Sequence, residues 1–331
     1  MTKQRLSSIE LLRIIAILGV LVDHVGMVAG LLPTGGDIVT KPLASIANIF
    51  SLSLAIGSVD VFVLISGWFG IKATKRGLAR FLYQVFFLIW IILIFFAIYS
   101  PQAINSSTLK GSFCIYDGYW FIVAYLGLYI LSPILNAFCE KATKTQFRFL
   151  LIALYAFQCY FTWLTGYIDY YKGYGITFFC ILYLTARYIR LYQIKFIQNH
   201  GGAIFSAITI AITIITALGL RYTGTALRML RYDNLMVIIS SLGVLMFFLK
   251  WQFKSKIVNR LAMSVFAVYI IHFNPFVFPY FKEGVLAIYN STSGAFTTLF
   301  IFLYLCLVFL ICFAIDQLRV ISWKMINGRI H

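Results

Sequence analysis

The sequence predicts an all-α integral membrane protein, a bundle of about ten transmembrane helices in which residues 1–331 form a single domain. Hydrophobic residues make up 62% of the chain and charged residues 11%, whereas a soluble domain carries about 25% charged residues. The mean hydropathy is +0.92. The apolar residues also fall into many runs of about twenty, the length that a helix needs to cross a bilayer. These two observations exclude a soluble globular protein.

Ten apolar runs are long enough to span a membrane. The second run is interrupted at Gly57 and Ser58, which predicts a short interfacial piece followed by the span itself. The predicted spans are residues 9–32, 45–71, 79–100, 118–138, 146–166, 174–193, 202–220, 233–250, 261–281 and 295–316.

The loop charges predict the topology. With a cytoplasmic N-terminus, 19 of the 27 Lys and Arg residues fall in inner segments and 7 in outer ones, while Arg13 lies inside the first span. Cytoplasmic loops of membrane proteins carry such an excess. Both termini are therefore predicted to be cytoplasmic. The net charge of +17 is a topology signal here and does not indicate nucleic-acid binding. The first run is full length and contains Arg13, so we expect it to be retained rather than cleaved as a signal peptide.

The cysteines predict neither disulfides nor a metal site. None of the six belongs to a CxxC pair, and most lie within apolar runs. Such cysteines are typical of free thiols in a protein core.

The first span carries the polar residues most suited to chemistry. Placing a charged side chain near the bilayer centre costs roughly 2.5–3.5 kcal/mol. Polar residues such as Arg13 and His24 in a membrane span are therefore expected to have a function. Eleven helical residues bring His24 to within about 20° of Arg13, with a rise of about 16 Å. His24 is suited to act as a general base or a transient nucleophile, and Arg13 to bind a phosphate of a cytosolic donor. Alternatively His24 only bonds a neighbouring helix, and Arg13 only pairs with Glu10.

Asp60, in the second span, is the predicted partner of His24. A carboxylate at that depth would fix the imidazole tautomer and stabilise the imidazolium. Alternatively Asp60 is interfacial and caps the helix that follows Gly57. Asp23 faces about 100° away from His24 on the same helix, so it is less suited to orient that ring. Ser66 and Gly67 more readily allow close helix packing than supply a nucleophile.

Two basic groups could meet anions on the two sides of the membrane. The inner group includes Arg76 and Arg80, which suit the phosphates of a nucleotide-based donor or simply follow the positive-inside rule. The outer group is the loop from Arg221 to Asp233 with Arg228 near its centre. It suits an anionic acceptor, or else it contacts lipid headgroups or pairs with Asp233.

The predicted ninth span places Tyr269 and His272 on one helix face. His272 falls at a depth comparable to that of His24. It could form a second polar wall of one cavity, or it could be a packing histidine bonded to a carbonyl. His200 and His331 fall in a predicted loop and the tail, and we assign them no role.

Four segments together resemble the membrane acyltransferase-3 family, from the first predicted span to the ninth. Arg13 and His24 match its Arg-x10-His signature, and Val59 to Phe69 looks like its apolar Ser-Gly stretch. The segment from Tyr119 to Pro133 is similar to its Trp-Phe…Tyr…Pro segment, and residues 269–272 to its late Tyr-x-x-His. One departure is the cytoplasmic stretch Gly77-Leu-Ala-Arg80, where many members have Arg-x-x-Arg.

The resemblance implies a ten-helix enzyme of the bacterial plasma membrane. Such an enzyme moves an acyl group, usually acetyl from acetyl-CoA, to a hydroxyl of a cell-envelope glycan or a lipid-linked sugar acceptor. It implies a catalytic role for His24 and donor binding by Arg13, with Arg76 and Arg80 as further donor contacts. Trp120, Tyr269, His272 and Arg228 are then expected on the acceptor side, and neither a metal nor nucleic acid is expected to take part.

Two other classes fit parts of the sequence. One is a transporter or flippase of a lipid-linked sugar, although the two halves show no matching pair of broken helices. The other is an accessory protein that binds an envelope enzyme.

Overall fold

A computed structural model describes residues 6–114, 117–165 and 171–328, and these residues form helices and turns without a strand. The prediction of an all-α protein is thereby confirmed. Among the described residues, six helices are long and apolar enough to cross a membrane, and Leu235–Lys250 is apolar but shorter. The protein is accordingly a multi-pass membrane protein, whereas the number of ten spans and the cytoplasmic termini stay predictions.

The helices are named α1 to α15 in chain order. A π-helix, Gln158–Leu164, directly follows α8. The bounds are α1 (Ser7–Ala29), α2 (Gly35–Thr40), α3 (Pro42–Ala55), α4 (Ser58–Phe69), α5 (Lys75–Tyr99), α6 (Ser106–Gly111), α7 (Trp120–Lys141), α8 (Lys144–Phe157), α9 (Ile176–Tyr192), α10 (Lys195–Thr223), α11 (Leu235–Lys250), α12 (Lys256–Ala262), α13 (Val265–His272), α14 (Phe278–Ser291) and α15 (Ala295–Gly328).

Contacts group the helices into two compact units. The first contains residues 1–73 and 123–255, and the second contains residues 74–122 and 256–331. The boundary at residue 122 falls inside α7. The single domain expected from the sequence concerns the whole chain and stays a prediction.

Helix α4 is central to the first unit, where it packs against α1, α9 and α11. The predicted break before it is confirmed, because α3 ends at Ala55 and α4 begins at Ser58. Gly67 lies where α4 meets α9. A Cβ atom there would approach the carbonyl oxygen of Tyr183 to 2.5 Å. The prediction that Ser66 and Gly67 allow close helix packing is thus confirmed.

Helices α10 and α11 cross at a pair of glycines. A Cβ atom on Gly243 would lie 2.8 Å from the carbonyl oxygen of Gly201 and 2.9 Å from the backbone nitrogen of Phe205. Both contacts are with backbone, which cannot move aside as a flexible side chain can. The crossing therefore depends on the absence of side chains at these two positions.

We expect Gly243→Val to lower the melting temperature of the purified protein in detergent. Overpacking of this kind destabilises a core by about 1–3 kcal/mol. Gly36→Ala is the control, because a Cβ atom at Gly36 would meet its nearest neighbour at an ordinary 3.7 Å. Equal melting temperatures for Gly243→Val and the wild type would contradict the close crossing.

The predicted ninth span, 261–281, is divided in the second unit into α12, α13 and the start of α14. The break after α13 contains Asn274 followed by Pro275, and a residue before proline is disfavoured in helical conformation. The Asn274 side chain satisfies the freed backbone, because its oxygen accepts from the Phe276 N–H at 2.9 Å. Its amide also donates to the Tyr119 hydroxyl at 2.8 Å.

Helix α15 extends beyond the predicted end of the tenth span at residue 316. Arg319, which sequence reasoning placed in the cytoplasmic tail, is only 3% exposed. Its guanidinium donates two hydrogen bonds to the buried carboxylate of Asp316, at 2.5 and 2.8 Å. The Ser264 hydroxyl donates a third at 2.7 Å. Because each charge has partners, the helix can carry both inside the protein.

Candidate functional site

Arg13 and His24 lie on α1, which is helical without interruption from Ser7 to Ala29. Eleven residues of continuous helix place both side chains on one face, about 16 Å apart along the axis. The Arg13 side chain is 38% exposed, and His24 is half-buried in the following turns. The predicted arrangement of a cation and an imidazole along one face is therefore present.

The predicted pairing of Glu10 with Arg13 is also present. The two charged groups approach to 3.9 Å, and the Glu10 side chain is 9% exposed. This distance is at the limit for an ion pair. A partly exposed pair of this kind contributes about 0–1 kcal/mol. Arg13 is consequently not held tightly and can turn towards an anionic ligand.

Asp60 is fully buried in the first turn of α4, at 0% exposure. Within the described part of the chain, neither of its carboxylate oxygens has a hydrogen-bond partner. The helix start lacks a side-chain cap, so the alternative of an interfacial capping aspartate is wrong. The His24 ring consequently donates no hydrogen bond to Asp60 in this structure. A role for Asp60 in catalysis therefore stays a prediction.

Asp23, which the sequence made a less suitable partner for His24, is bonded to a tyrosine of the loop before α11. The Tyr232 hydroxyl donates to the Asp23 carboxylate at 3.4 Å. Burial, together with the nearby charge of Asp23, raises the pKa of Tyr232 well above its usual value. Tyr232 consequently stays a protonated donor throughout the neutral range.

Arg231 and Asp233 form a bidentate ion pair beside this contact. The two guanidinium–carboxylate distances are 2.8 and 2.6 Å, and the Asp233 side chain is fully buried. Asp60 lies close enough to Asp233 for their charges to interact. We refer to Asp23, Asp60, Arg231, Tyr232 and Asp233 as the polar cluster. For Arg231, the alternative of pairing with Asp233 is confirmed.

Arg228 remains exposed on the same loop. Its φ of 57° and that of Leu227, 47°, are left-handed, a conformation that costs a non-glycine residue about 1–3 kcal/mol. Two contacts fix it in place. The Arg228 guanidinium donates to the carbonyl of Leu164 at 3.3 Å, and the Asn234 amide donates to the carbonyl of Arg228 at 3.3 Å. The structure thus holds a strained arginine at the surface.

Arg76 and Arg80 lie in the second unit, in the first turns of α5. Both are exposed, and their spacing of four residues places them on one helix face. The Thr74 side chain caps this helix by accepting from the Gly77 N–H at 3.0 Å. Two neighbouring cations are thus presented to solvent, and their contact with a donor stays a prediction.

The expected acceptor residues Trp120, Tyr269 and His272 also lie in the second unit. The Tyr269 hydroxyl donates to the carbonyl of Gly118 at 2.5 Å. Nδ1 of His272 lies 2.6 Å from the carbonyl oxygen of Val268, which is the bond that the packing alternative predicts for this histidine. Trp120 is half-buried at the start of α7. Their contact with an acceptor stays a prediction.

The sequence also predicts that the cysteines are free thiols and that they form no metal site. All six cysteines are free thiols, two of them buried and four half-buried, which confirms the prediction. No group of three or more His, Cys, Asp or Glu side chains within the described residues could hold a metal ion.

Comparison with protein families gives one match. The family model described as the acyltransferase domain, Acyl_transf_3, covers residues 6–317. Comparisons with curated proteins and with solved structures found no significant match. The matched region includes α1, α4 and the polar cluster. Since it covers nearly all of the chain, the protein is a transferase that belongs to the acyltransferase-3 family.

Proposed function

We propose that the protein is an O-acyltransferase of the bacterial plasma membrane. It moves an acyl group, most readily acetyl, from cytoplasmic acyl-CoA to a hydroxyl of an extracytoplasmic cell-envelope glycan. The observation that carries this proposal is the arrangement on α1. A partly exposed arginine and a half-buried imidazole share one face of one helix, in a chain of an acyltransferase family.

In the proposed reaction, neutral His24 acts as the general base. It removes the proton from the acceptor hydroxyl while the hydroxyl oxygen attacks the thioester carbonyl carbon. The carbon–sulfur bond then breaks, the acyl group stays on the acceptor oxygen, and the proton on His24 passes to the leaving thiolate of coenzyme A. In the other route, His24 attacks the thioester carbonyl carbon and the carbon–sulfur bond breaks to release the thiolate of coenzyme A. The acceptor hydroxyl oxygen then takes the acyl group from His24, and the hydroxyl proton passes to the thiolate.

Arg13 is the proposed contact for a phosphate of the donor. Its partly exposed guanidinium and its long distance to Glu10 support this role, since bidentate arginine–phosphate pairs are strong. Arg76 and Arg80 are proposed as further donor contacts, supported by their exposure on one face of α5. The positive charge of each of these arginines suits the phosphates of coenzyme A.

Asp60 is proposed to stabilise the positive charge that forms on His24. The packing of α4 against α1 supports this assignment, as does the full burial of the carboxylate. A carboxylate in a low-dielectric environment interacts strongly with a nearby cation. On the acceptor side, exposed Arg228 is proposed to meet an anionic group of the glycan.

The proposal is tested by transfer from radiolabelled acetyl-CoA to envelope glycans, in membranes that contain the protein and in matched membranes that lack it. We expect label in a glycan fraction only when the protein is present. Mild base should release this label, because it cleaves O-acetyl esters. Lack of label from acetyl-CoA and from longer acyl-CoA donors, with acceptor present, would contradict the proposal. Movement of a lipid-linked sugar across vesicles without acyl transfer would then support the transporter.

We expect Arg13→Ala to raise the KM for acetyl-CoA by about tenfold or more, with a smaller change in kcat. The loss follows because the guanidinium binds a part of the donor that does not react. Arg148→Ala is the control, since Arg148 is another exposed arginine of the first unit, on α8. Equal effects of the two substitutions on KM would show that Arg13 acts only through general surface charge.

A further inference from the structure

The second unit contains a partly open cavity that the reaction above does not use. It has a volume of about 800 Å³ and lies between α5, α13, α14 and α15. Pockets that bind small molecules have volumes of about 300–1,000 Å³. The cavity is therefore large enough for a ligand.

The walls of this cavity suit a hydrocarbon. Most lining side chains are aliphatic or aromatic, such as Ile92, Phe96 and Ile311. None of the described residues around it is Asp, Glu, Lys or Arg. An uncharged apolar wall favours an apolar ligand, because a charged or strongly polar group would lose its hydration without a partner.

The lining of the cavity extends over about one to one and a half leaflets of the hydrocarbon core. Along α5 the lining extends from Ile91 to Ser100, and along α15 from Tyr304 to Leu318. At 1.5 Å per residue these stretches cover about 14 and 21 Å. One leaflet contributes about half of the 30 Å hydrocarbon core. Both helices are candidate membrane spans, which places the cavity at membrane depth.

Polar side chains mark one end of the cavity and one wall. Tyr99 and Ser100 line it where α5 ends, and Tyr280 lines it near the start of α14. Hydroxyls at a single end suit the head of an amphiphile whose chain extends along the apolar part. His272 lies on the wall with its Nδ1 next to a carbonyl oxygen. A carbonyl only accepts, so Nδ1 carries a proton.

We propose that this cavity binds the hydrocarbon chain of a lipid-linked glycan acceptor. The proposal rests on the proposed function and specifies its acceptor as a membrane-anchored one. His272 favours an acceptor over a bulk phospholipid. An ionisable side chain inside a membrane segment is expensive and normally marks a substrate pathway, whereas a structural lipid chain needs only apolar contacts.

Filling the cavity with tryptophan tests this proposal. Val308 lines the cavity and is half-buried, while its neighbour Leu307 is 53% exposed and does not line it. Val308→Trp is expected to raise the KM for a polyprenyl-linked sugar by roughly tenfold or more. The KM for acetyl-CoA should not change. The rate of transfer to the same sugar, with a methyl group in place of the lipid, should not change either. Leu307→Trp should leave all three values unchanged. Equal losses with the lipid-linked and the methyl-linked sugar would overturn the proposal.

Photo-crosslinking provides a reading that does not depend on acyl transfer. A polyprenyl diphosphate sugar with a diazirine on its chain is expected to label peptides of α5, α13 and α15 in nanodiscs, and Val308→Trp should abolish this labelling. Phosphatidylglycerol with a diazirine on its acyl chain is the second probe. Equal labelling of these peptides by both probes would overturn the assignment to an acceptor. Specific labelling without any acyl transfer would support the binding site for the hydrocarbon chain and contradict the proposed function.

Discussion

His24→Gln is expected to lower kcat for acetyl transfer by about 10²–10⁴-fold, the range that a general base contributes. Glutamine keeps the approximate size of imidazole and can form hydrogen bonds, but it neither takes a proton at neutral pH nor carries an acyl group. The KM for acetyl-CoA should change little, since Arg13 is proposed to hold the donor and lies about 16 Å along the helix axis from His24. The measurement is initial rates of transfer in membranes at matched expression.

His200→Gln is the matched control, because His200 is exposed on α10 and has no proposed role. It should retain wild-type activity. Full activity of His24→Gln would contradict the mechanism and favour a protein that only assists an envelope enzyme. If the acyl group passes through His24, rapid quenching of the wild type with acetyl-CoA alone should leave label on a peptide of α1. Direct transfer predicts no such label.

Local periodicity was sufficient to predict the α1 part of the site. Arg13 and His24 belong to one helix, so a helical repeat of 3.6 residues fixes their relation without tertiary information. The break at Gly57 was predictable for a similar reason, because glycine and serine interrupt an apolar run locally. The basic residues Arg76 and Arg80 could likewise be placed near a helix start from the charge pattern alone.

The polar cluster could not be predicted in the same way. Asp23 and Tyr232 are 209 positions apart in the chain, and only the packing of α1 near the loop before α11 brings them together. Arg231 illustrates the same point. The sequence left open whether it meets a ligand or Asp233, and the structure shows the ion pair. The sequence shows that this loop is positively charged, but it does not show which of its arginines pairs with a group inside the protein.

Helix ends differ from the predicted span ends where buried polar groups satisfy one another. Hydropathy ended the tenth span at residue 316 because Asp316 and Arg319 are charged. Their mutual hydrogen bonds and that of Ser264 instead allow α15 to continue to Gly328. The break after α13 has a local signal in Asn274-Pro275, which a twenty-residue hydropathy window averages away.

Asp60→Asn is expected to separate activity from stability. The variant should lose acetyl transfer by about 10²-fold or more, since a neutral amide cannot stabilise a developing imidazolium charge as a carboxylate does. The same variant should be at least as stable as the wild type. Asp60 is 0% exposed, and its carboxyl oxygens have no hydrogen-bond partner in the part of the chain that the structure describes. A buried polar group without partners lowers the stability of a fold. Initial rates and the melting temperature in detergent are the two measurements.

Asp316→Asn is the matched comparison, because Asp316 is equally buried but accepts hydrogen bonds from Arg319 and Ser264. Removing one partner of such an ion pair destabilises a protein by about 3–5 kcal/mol, so this variant should melt earlier. The opposite signs distinguish the two carboxylates. Asp316 stabilises the second unit, whereas Asp60 is retained at a cost to stability, as groups required for catalysis commonly are. If Asp60→Asn instead melts earlier than the wild type and keeps its activity, Asp60 is a structural residue and its assignment to the reaction is wrong.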